Sequence, residues 1–475
     1  MKLPATEFAG VDILQRVTRI FRCNITAVYS IIQPFAFSRS LSRIFAANFT
    51  SMLDIAWLRA HTDIAKERLT KRNKYPVSLI DDLLKLDDER KRLQTELDNT
   101  LAEANATSKE IGKLMGQGLR DEAENKKQHV AALKSRSTSL EQDHNRIQDE
   151  IKNILLTIPN LPQILVPQGK DADDNITVRK TDAKPVFGFN PLPHWELAAK
   201  YNLIDFELGN KITGSGFPVY LGKGARLQRA LIQFFLDRAA AAGYMEVIPP
   251  FMVNADSGYG TGQLPDKEGQ MYHAVVDDFY LIPTAEVPVT NIYRDTIVKE
   301  EDLPIRLTAY SPCFRREAGS YGKDVRGLNR LHQFDKVEIV EIAHPNQSDA
   351  RLEVMVAHVE SLVQALGLPY RILRLCGGDM GFASAITYDF EVWSGAQERW
   401  LEVSSVSNFE TFQANRMKCR YKDSSDGKNK LVHTLNGSAL ALPRIVAALL
   451  ENNQTENGIK IPEVLIPYTG FDVIH

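Results

Sequence analysis

Residues 79–114 read LIDDLLKLDDERKRLQTELDNTLAEANATSKEIGKL, and their periodicity predicts the architecture of the amino-terminal part. Apolar or small residues recur in it at alternating steps of four and three, and a second such series runs over 130–158. A repeat of this kind, held over four heptads, keeps one seam facing a partner helix. The glycines of Gly116-Gln117-Gly118 separate the two series and permit a tight turn. The pattern predicts an antiparallel two-helix coiled coil over about 79–158, with helices roughly 50 Å long.

The heptads alone leave open what this hairpin does. A coiled coil that serves for dimerisation or as a spacer has the same repeat. Polar residues at seam positions, here Arg90, Thr100, Ser137 and His144, set the register of many coiled coils without binding anything. Assigning a binding role to the hairpin therefore depends on the rest of the chain.

Bulk composition excludes several classes of protein. The chain has 475 residues, of which 44% are hydrophobic and 25% charged, and its net charge is −3. It is long enough for two or three domains, and any contact with nucleic acid must come from a local patch or from shape. The four cysteines lie far apart without a CxxC pair, which argues against a disulfide framework or a structural zinc site. No run reaches the roughly eighteen apolar residues of a membrane span, so we expect a cytoplasmic protein without a membrane partner.

The first 51 residues differ from the rest because arginines outnumber acidic residues. The residues that carry this bias are Arg16, Arg19, Arg22, Arg39 and Arg43, against Glu7 and Asp12. Such a lead is typical of an organelle transit peptide, which would change the predicted location to an organelle. The alternative is a mis-called extension with the true start at Met52, since 52–55 opens an ordinary amphipathic helix. We favour the second interpretation and begin the fold at residue 52.

Beyond the hairpin the chain divides into further parts. The heptads stop at Pro159, so 52–160 is one predicted domain, and 161–194, rich in Pro, Gly and Asp, predicts a linker. Over 195–475 short strand-like runs occur in clusters between helical segments, which favours an α+β domain on an antiparallel sheet. Neither of the common glycine-rich phosphate-binding loops is present. Charged side chains would therefore have to hold any nucleotide.

Three segments carry side chains suited to that task. In Pro312–Gly319, a strand would place Arg315 and Glu317 on one face. Arginine binds phosphate bidentately, and a carboxylate accepts a hydrogen bond from an adenine amino group. Taken singly, this triplet is more often a surface ion pair than a nucleotide site.

The other two segments offer a cation site and an anion site. Glu402 and Ser405 present a carboxylate and a hydroxyl that a divalent ion is able to share with ATP phosphates. In 434–444, glycine and small residues precede Arg444 at the start of a helix, where anions bind well. Taken alone, the segment with Glu402 and Ser405 is more simply explained as a polar strand end.

Together the segments resemble a known family. With Gly243–Pro250, the stretches 314–317 and 434–444 resemble the three signatures of class II aminoacyl-tRNA synthetases, in order and in spacing. Pro283–Pro288 is similar to the TxE motif of seryl-tRNA synthetases, His332–Glu338 to their HQFxKxE stretch, and 402–405 to their ExSS stretch. The resemblance covers nearly everything from Met52 onward, including the hairpin.

The resemblance implies a role for each matching residue. The implied ATP-binding residues are Arg315, Arg316, Glu317, Phe334, Glu402, Val403, Ser404, Ser405 and Arg444. Within that set Arg315 and Arg444 are the implied catalytic residues on the α- and γ-phosphates, Glu317 and Phe334 bind adenine, and Glu402 with Ser405 holds Mg²⁺. The implied serine-binding residues are Thr284, Ala285, Glu286, Glu338 and Ser438. For His332, a structural role is favoured over that of a general base.

The resemblance also implies a reaction and partners. Serine and ATP would give seryl-adenylate, and the serine would pass to the 3′ end of tRNA-Ser, with tRNA-Sec as a second possible acceptor. The hairpin would bind the tRNA, and Gly243–Pro250 would form a homodimer interface. Two alternatives stand beside this. A ligase that loads a carrier protein would lack the hairpin, and an inactive RNA-binding paralogue would be expected to lose Arg315, Glu317 or Arg444.

Overall fold

The computed structural model describes residues 53–181, 183–266, 269–317 and 326–475. The arginine-rich lead, 1–51, lies outside the described residues. In the described part of the chain, no helix is long and apolar enough to span a membrane.

Helices occur in two groups, one before residue 160 and one after residue 190. The α-helices of the described residues are α1 (Ile55–Ala60), α2 (Thr62–Thr70), α3 (Ser78–Gly116), α4 (Arg120–Thr157), α5 (His194–Lys200), α6 (Phe206–Ile212), α7 (Gly222–Ala241), α8 (Ala255–Thr261), α9 (Glu286–Asn291), α10 (Ser348–Ala365), α11 (Phe412–Met417), α12 (Leu442–Asn452) and α13 (Ile466–Thr469).

Strands begin only after the helical hairpin. They are β1 (Ile176–Lys180), β2 (Ile204–Asp205), β3 (Val219–Tyr220), β4 (Met245–Glu246), β5 (Met252–Val253), β6 (His273–Ala274), β7 (Phe279–Leu281), β8 (Ile297–Lys299), β9 (Ile305–Phe314), β10 (Gln333–Ala343), β11 (Tyr370–Arg374), β12 (Ile386–Ser394), β13 (Arg399–Asn408), β14 (Arg420–Lys422), β15 (Asn429–Leu431), β16 (His433–Ala441), β17 (Gln454–Thr455), β18 (Gly458–Lys460) and β19 (Val473–Ile474).

The long helices α3 and α4 form the predicted antiparallel hairpin, here called the arm. They have 39 and 38 residues, so each is about 58 Å long at 1.5 Å per residue. The turn between them contains Gly118 at φ +81°, a conformation that glycine adopts without strain. The buried seam residues of the outer half are Thr100, Ala104, Thr107, Ala123, Val130 and Leu133.

The base of the arm departs from the simple heptad. Ile80, Leu83 and Asp87 are buried there, whereas the predicted seam residue Arg90 is only partly buried. The Asp87 carboxylate pairs with Arg90 at 2.8 Å and with Arg59 of α1 at 2.8 Å. At this point α1 and α2 pack against α3, so the buried residues of α3 include positions on a side that is exposed to solvent in the outer half.

The carboxy-terminal part is built on one large sheet with the order β1-β11-β12-β13-β16-β10-β9-β4. Its strand pairs are antiparallel except for the short pairing of β4 with β9. Helices α7, α10 and α12 pack their apolar residues on one face and form the main core. The α+β prediction and the antiparallel sheet are confirmed.

The stretch 161–194, predicted as a linker, contributes to the sheet as well as connecting its neighbours. Strand β1 lies at the edge of the large sheet and pairs with β11, and all five of its residues are exposed. No α-helix begins before His194 in the described part of this stretch.

The helical part and the sheet share a small core. Phe412 of α11 is buried in the cluster that contains Leu58 and Leu69 of α1 and α2. Beside it the guanidinium of Arg72, 2% exposed, donates to the carbonyl oxygens of Asn160, Met380, Gly381 and Ser384. Burial lowers the pKa of Arg72 to about 10. Because these carbonyls come from both sides of the junction, Arg72 fixes α2 on the sheet domain.

Candidate active site

Strands β13, β16, β10 and β9 are neighbours in the sheet and bring the predicted site segments together. Glu338 of β10 lies opposite Ser438 of β16 on one side and Ala309 of β9 on the other. Gly437 of β16 lies opposite Val406 of β13. The sheet register therefore places the 332–338, 402–405 and 434–441 segments side by side, and 315–317 follows directly from the end of β9.

A cluster of buried polar side chains, here called the carboxylate pocket, lies at the centre of this arrangement. Thr284 donates to Glu338 at 3.0 Å and accepts from the Lys336 ammonium at 2.8 Å. Lys336 also forms an ion pair with Glu338, and the Asn436 amide donates to the second oxygen of that carboxylate. All four side chains are buried. Such a network is stable only because each charged group is paired.

Glu286 is the second carboxylate of the pocket. Gln413 of α11 donates to it at 2.6 Å and accepts from Thr434 at 2.7 Å. The Glu286 backbone amide donates to the Thr284 hydroxyl at 3.2 Å. Thr284 and Glu286 are thus brought together with Glu338, as the sequence motifs indicated.

The electrostatics of the pocket favour a cationic guest. Burial, followed by the negative charge of Glu338, raises the pKa of Glu286 to about 7. Lys336 balances one of the two carboxylates directly. Among the described residues, none forms an ion pair with the second, Glu286, so an ammonium group entering the pocket would find an acceptor already oriented by Gln413.

Two of the predicted pocket residues contribute through the main chain or through position. The side chain of Ala285 packs in a small apolar cluster with Val289 and Leu307, so only its backbone is available to a ligand. Ser438 is buried, and its carbonyl accepts a hydrogen bond from the Ser404 hydroxyl.

A second group, at the end of β9, carries positive charge over aromatic rings. The Arg315 guanidinium lies 5.2 Å from the centre of the Phe334 ring, and that of Arg316 lies 5.5 Å from the Tyr272 ring. The Tyr272 hydroxyl and His332 Nδ1 are 2.7 Å apart, and the His332 ring stacks on Phe217. These contacts show His332 packed between aromatic side chains, which is consistent with a structural role and not with that of a general base.

One geometric expectation for this segment is wrong. The strand ends at Phe314, so Arg315 and Glu317 do not share a strand face. Glu317 has φ +48°, a left-handed conformation that is uncommon for a residue other than glycine. Its carboxylate pairs with Arg330 at 3.0 Å. Arginine and carboxylate are still close along the chain, but they lie in the irregular segment that follows β9.

Glu402 and Ser405 lie three residues apart on β13, where a regular strand would place them on opposite faces. Pairing with β12 shifts register at this point: Glu391 is opposite Glu402, and Phe390 is opposite Ser404. The extra residue, Val403, forms a β-bulge, and a bulge returns the following side chains to the face of the residue before it. The bulge therefore places Glu402 and Ser405 on the same face of the sheet.

The sequence analysis missed a third member of this group, Asp389 on β12. The Ser405 hydroxyl donates to its carboxylate. Burial, and after it the charge of Glu402, raises the pKa of Asp389 well above its usual range. Nothing in a single sequence marks Asp389, because only the pairing of β12 with β13 places it opposite Ser405.

This group fits a divalent cation only in part. Among the described residues, no three His, Cys, Asp or Glu side chains are arranged to hold a metal ion. Two crowded carboxylates and a hydroxyl would be relieved by a cation, but phosphate oxygens and water would have to complete its shell. That donor set is suited to Mg²⁺ bound together with ATP.

Arg444 lies beside Glu402, in the first turn of α12. Its Nε donates to the Asn329 carbonyl at 3.0 Å and a terminal nitrogen donates to the Glu402 carbonyl at 2.7 Å. Pro443 fits at this helix start because it needs no amide donor there. Val403 is buried in the main core, so only its backbone faces the site.

Comparison with known proteins gives one consistent result. The family models "tRNA synthetase class II core domain (G, H, P, S and T)" and "Seryl-tRNA synthetase N-terminal domain" match residues 272–453 and 52–162. The chain is 53% identical to a serine–tRNA ligase of Salinibacter ruber, over 88% of this chain and 98% of that relative. A serine–tRNA ligase of Akkermansia muciniphila is 49% identical, over 89% of this chain and 99% of the relative.

Solved structures agree with the sequence relatives. The seryl-tRNA synthetase of Pyrococcus horikoshii, solved in complex with ATP, superimposes with a TM-score of 0.83 at 35% identity and covers 89% of this chain and 99% of its own. The cytoplasmic serine–tRNA ligase of Naegleria fowleri, solved with AMP, gives a TM-score of 0.79 at 26% identity and covers 90% of this chain and 99% of its own.

Proposed function

The chain belongs to the seryl-tRNA synthetase family of class II aminoacyl-tRNA synthetases, and from that premise we propose how its residues divide the reaction. It is a ligase that uses ATP to join serine to tRNA. The alternatives of a carrier-protein ligase and of an inactive paralogue are not favoured, since the arm is present and Arg315, Glu317 and Arg444 are all retained.

The carboxylate pocket is the proposed serine site, and it is the observation that carries the assignment. Glu286 would accept the ammonium group, while Thr284, Glu338 and Ser438 would surround the hydroxyl. A pocket that hydrogen-bonds a hydroxyl rejects the analogue without it by about 10⁴–10⁵, because its buried polar groups are left unpaired. Alanine is then excluded by chemistry, and threonine by the space available.

ATP is proposed to lie between the two arginines. Arg315 would neutralise the α-phosphate that the serine carboxylate attacks, and Arg444 the γ-phosphate of a bent ATP. Phe334 would stack on the adenine, Glu317 would accept from its amino group, and Arg316 would lie nearby. No side chain needs to act as a nucleophile, since positioning and charge neutralisation are sufficient for in-line attack.

Glu402 and Ser405 are the proposed protein ligands of Mg²⁺, with Val403 and Ser404 keeping the bulge in place. Bound there with ATP, the ion would neutralise phosphate charge. Asp389 would hold the Ser405 hydroxyl in orientation through the hydrogen bond described above.

The arm is proposed to bind tRNA-Ser. Its outer faces carry charges of both signs in exposed pairs such as Lys126–Glu110 and Arg146–Glu150. A long solvated surface of this kind suits shape recognition of an RNA helix through its backbone and 2′-hydroxyls. The same surface would bind tRNA-Sec if that RNA is a second acceptor, and a charging assay with tRNA-Sec tests this.

A homodimer and a cytoplasmic location complete the proposal. Met245 and Ile248, within the Gly243–Pro250 segment, are 58% and 87% exposed, and exposed apolar residues grouped in this way are typical of an interface. Sedimentation of the purified chain tests the dimer, and amino-terminal sequencing of the native protein tests whether 1–51 is retained.

Two assays test the catalytic assignment. Serine-dependent exchange of pyrophosphate into ATP, measured without tRNA, should proceed with serine and fail with alanine. Charging of tRNA-Ser should follow when the RNA is added. Absence of exchange would overturn the assignment of the pocket, and exchange without charging would favour a different acyl acceptor.

A further inference from the structure

A buried histidine–glutamate pair lies behind the proposed ATP site and has no role in the reaction as described so far. His194 begins α5 and Glu451 belongs to the last turn of α12, and both side chains are fully buried. His194 Nδ1 and a Glu451 oxygen are 2.8 Å apart. The two residues are 257 positions apart in sequence, so the pair ties two distant elements together.

The tautomer of His194 is fixed by its second contact. The backbone amide of Leu328 donates to His194 Nε2 at 2.9 Å. Because Nε2 accepts, the ring proton lies on Nδ1 and is donated to Glu451. The imidazole is therefore a neutral bridge with one defined donor and one defined acceptor.

Glu451 is held in turn by several donors. The His194 backbone amide donates to it at 3.0 Å, the Gln397 amide at 2.9 Å and the Ala396 backbone amide at 3.2 Å, and the Ser394 hydroxyl also donates. Burial by itself raises the pKa of Glu451, but these hydrogen bonds, led by that of His194, outweigh it and keep the pKa below its usual value. The acceptor of the pair is an ordered carboxylate.

The segment that His194 holds leads to Arg444. Gly327 has φ +67°, and a Cβ there would lie 2.3 Å from His194 Nε2, so the main chain rests directly on the imidazole. Two residues on, the Asn329 carbonyl accepts from Arg444 Nε at 3.0 Å, and the Asn329 side chain donates to Gln397 at 3.0 Å. Arg444 and Glu451 lie on the same helix, two turns apart.

We propose that His194 is a positioning residue for ATP, which holds 327–329 against Glu451 so that the Asn329 carbonyl fixes the guanidinium of Arg444. The proposal rests on the role given above to Arg444. It assigns the His194–Glu451 pair to ATP binding alone, since the described residues that bond to the pair do not belong to the carboxylate pocket.

Two substitutions separate the two hydrogen bonds of His194. His194→Asn places an amide near Nδ1, so it keeps the bond to Glu451 and loses the acceptor for Leu328. His194→Gln places its amide near Nε2, so it keeps that acceptor and loses the donor to Glu451. We expect His194→Asn to weaken ATP binding about tenfold and His194→Gln to weaken it no more than about twofold, with the KM for serine unchanged in both.

Equilibrium binding of ATP to the full chain gives the decisive measurement, together with thermal unfolding of each variant. In an Arg444→Ala background, His194→Asn should add nothing to the loss of ATP affinity if it acts through Arg444. Gly327→Ala, which pushes the same segment off the imidazole, should reproduce the loss and serves if His194→Asn does not fold. Additive losses, or equal losses for ATP and serine, would overturn the proposal.

The failure of this inference is distinguishable from that of the proposed function. If the wild-type chain shows no serine-dependent exchange, the proposed function fails. If exchange is normal and ATP affinity is the same in His194→Asn, Gly327→Ala and the wild type, only the positioning role is wrong.

Discussion

The arm and the sheet domain differ in where their charged residues lie: those of the arm form ion pairs in solvent, and those of the carboxylate pocket form ion pairs in the interior. In the outer arm, the buried polar seam residues Thr100 and Thr107 are small and uncharged, and the charged residues around them form exposed ion pairs such as Lys126–Glu110. In the carboxylate pocket, Glu338, Lys336 and Thr284 are almost completely buried and each contacts the others. Changes in the arm should therefore be local and additive, whereas changes in the pocket should be coupled and large.

The largest separation is expected when the arm is removed. Replacing residues 85–150 by a short turn should reduce charging of tRNA-Ser by more than about 10³-fold, because the proposed RNA-binding surface is lost. Serine-dependent exchange should stay within a few-fold of wild type, since the hydrogen bonds and the ion pair described for the pocket all come from residues outside the arm. Comparable losses of both activities would contradict a dedicated RNA role for the arm.

The reverse experiment acts on the sheet domain. Arg315→Ala should reduce exchange by about 10²–10³-fold, as expected when one preorganised charge is removed from a transition state. Binding of tRNA-Ser, measured by filter retention, should be unchanged. Arg92→Ala, on the arm surface, is the matched loss of an arginine and should leave exchange at the wild-type rate.

The pH dependence of serine binding should report the pocket. Because the pKa of Glu286 is raised to about 7, the carboxylate that receives the serine ammonium is lost as pH falls below 7. The KM for serine in exchange should rise by as much as tenfold per pH unit there, with no such rise for ATP. Glu286→Gln should remove the dependence together with most of the serine affinity.

The raised pKa of Glu286 also predicts that the fold becomes more stable as pH falls, whereas serine binding becomes weaker. A carboxyl whose pKa is higher in the folded chain than its ordinary 4.5 destabilises the fold when it is ionised, and the penalty disappears as pH falls toward 4.5. Glu286→Gln should therefore raise the Tm at pH 8 and change it much less at pH 5. An equal change at both pH values would show that the substitution acts through packing.

A smaller effect is expected at the junction between the two regions. Arg72→Met would leave the four carbonyl oxygens without their donor and should lower the free energy of unfolding by about 3 kcal/mol. Charging should fall several-fold more than exchange, because the orientation of the arm is loosened while the pocket is intact. Lys66→Met, on α2, removes only a partly exposed ion pair with Asp81; it is the control and should change neither activity.

The features that could be predicted from the sequence are those marked by a periodic repeat or by a sequence motif. The 3-4 periodicity of 79–158 identified both long helices, and the matching motifs identified Thr284, Glu286 and Glu338 before any geometry was known. The β-bulge at Val403 and the left-handed backbone conformation of Glu317 were not predictable, since strand register and the backbone angles of irregular segments depend on tertiary packing. Gln413 and Asp389 carried no local signal, because they enter the site only through α11 and through the pairing of β12 with β13.

The change of side-chain size along the arm has a mechanical consequence. On α3, Ile80, Leu83 and Leu93 fill the seam near the base, and farther out Thr100, Ala104 and Thr107 take their place. Smaller side chains bury less apolar area per turn, so the free energy of local opening falls toward the tip. We therefore expect the arm to open more readily toward its tip than at its base. In the proposed role, a compliant tip would adapt to the contour of an RNA helix while the base keeps its packing against the sheet domain.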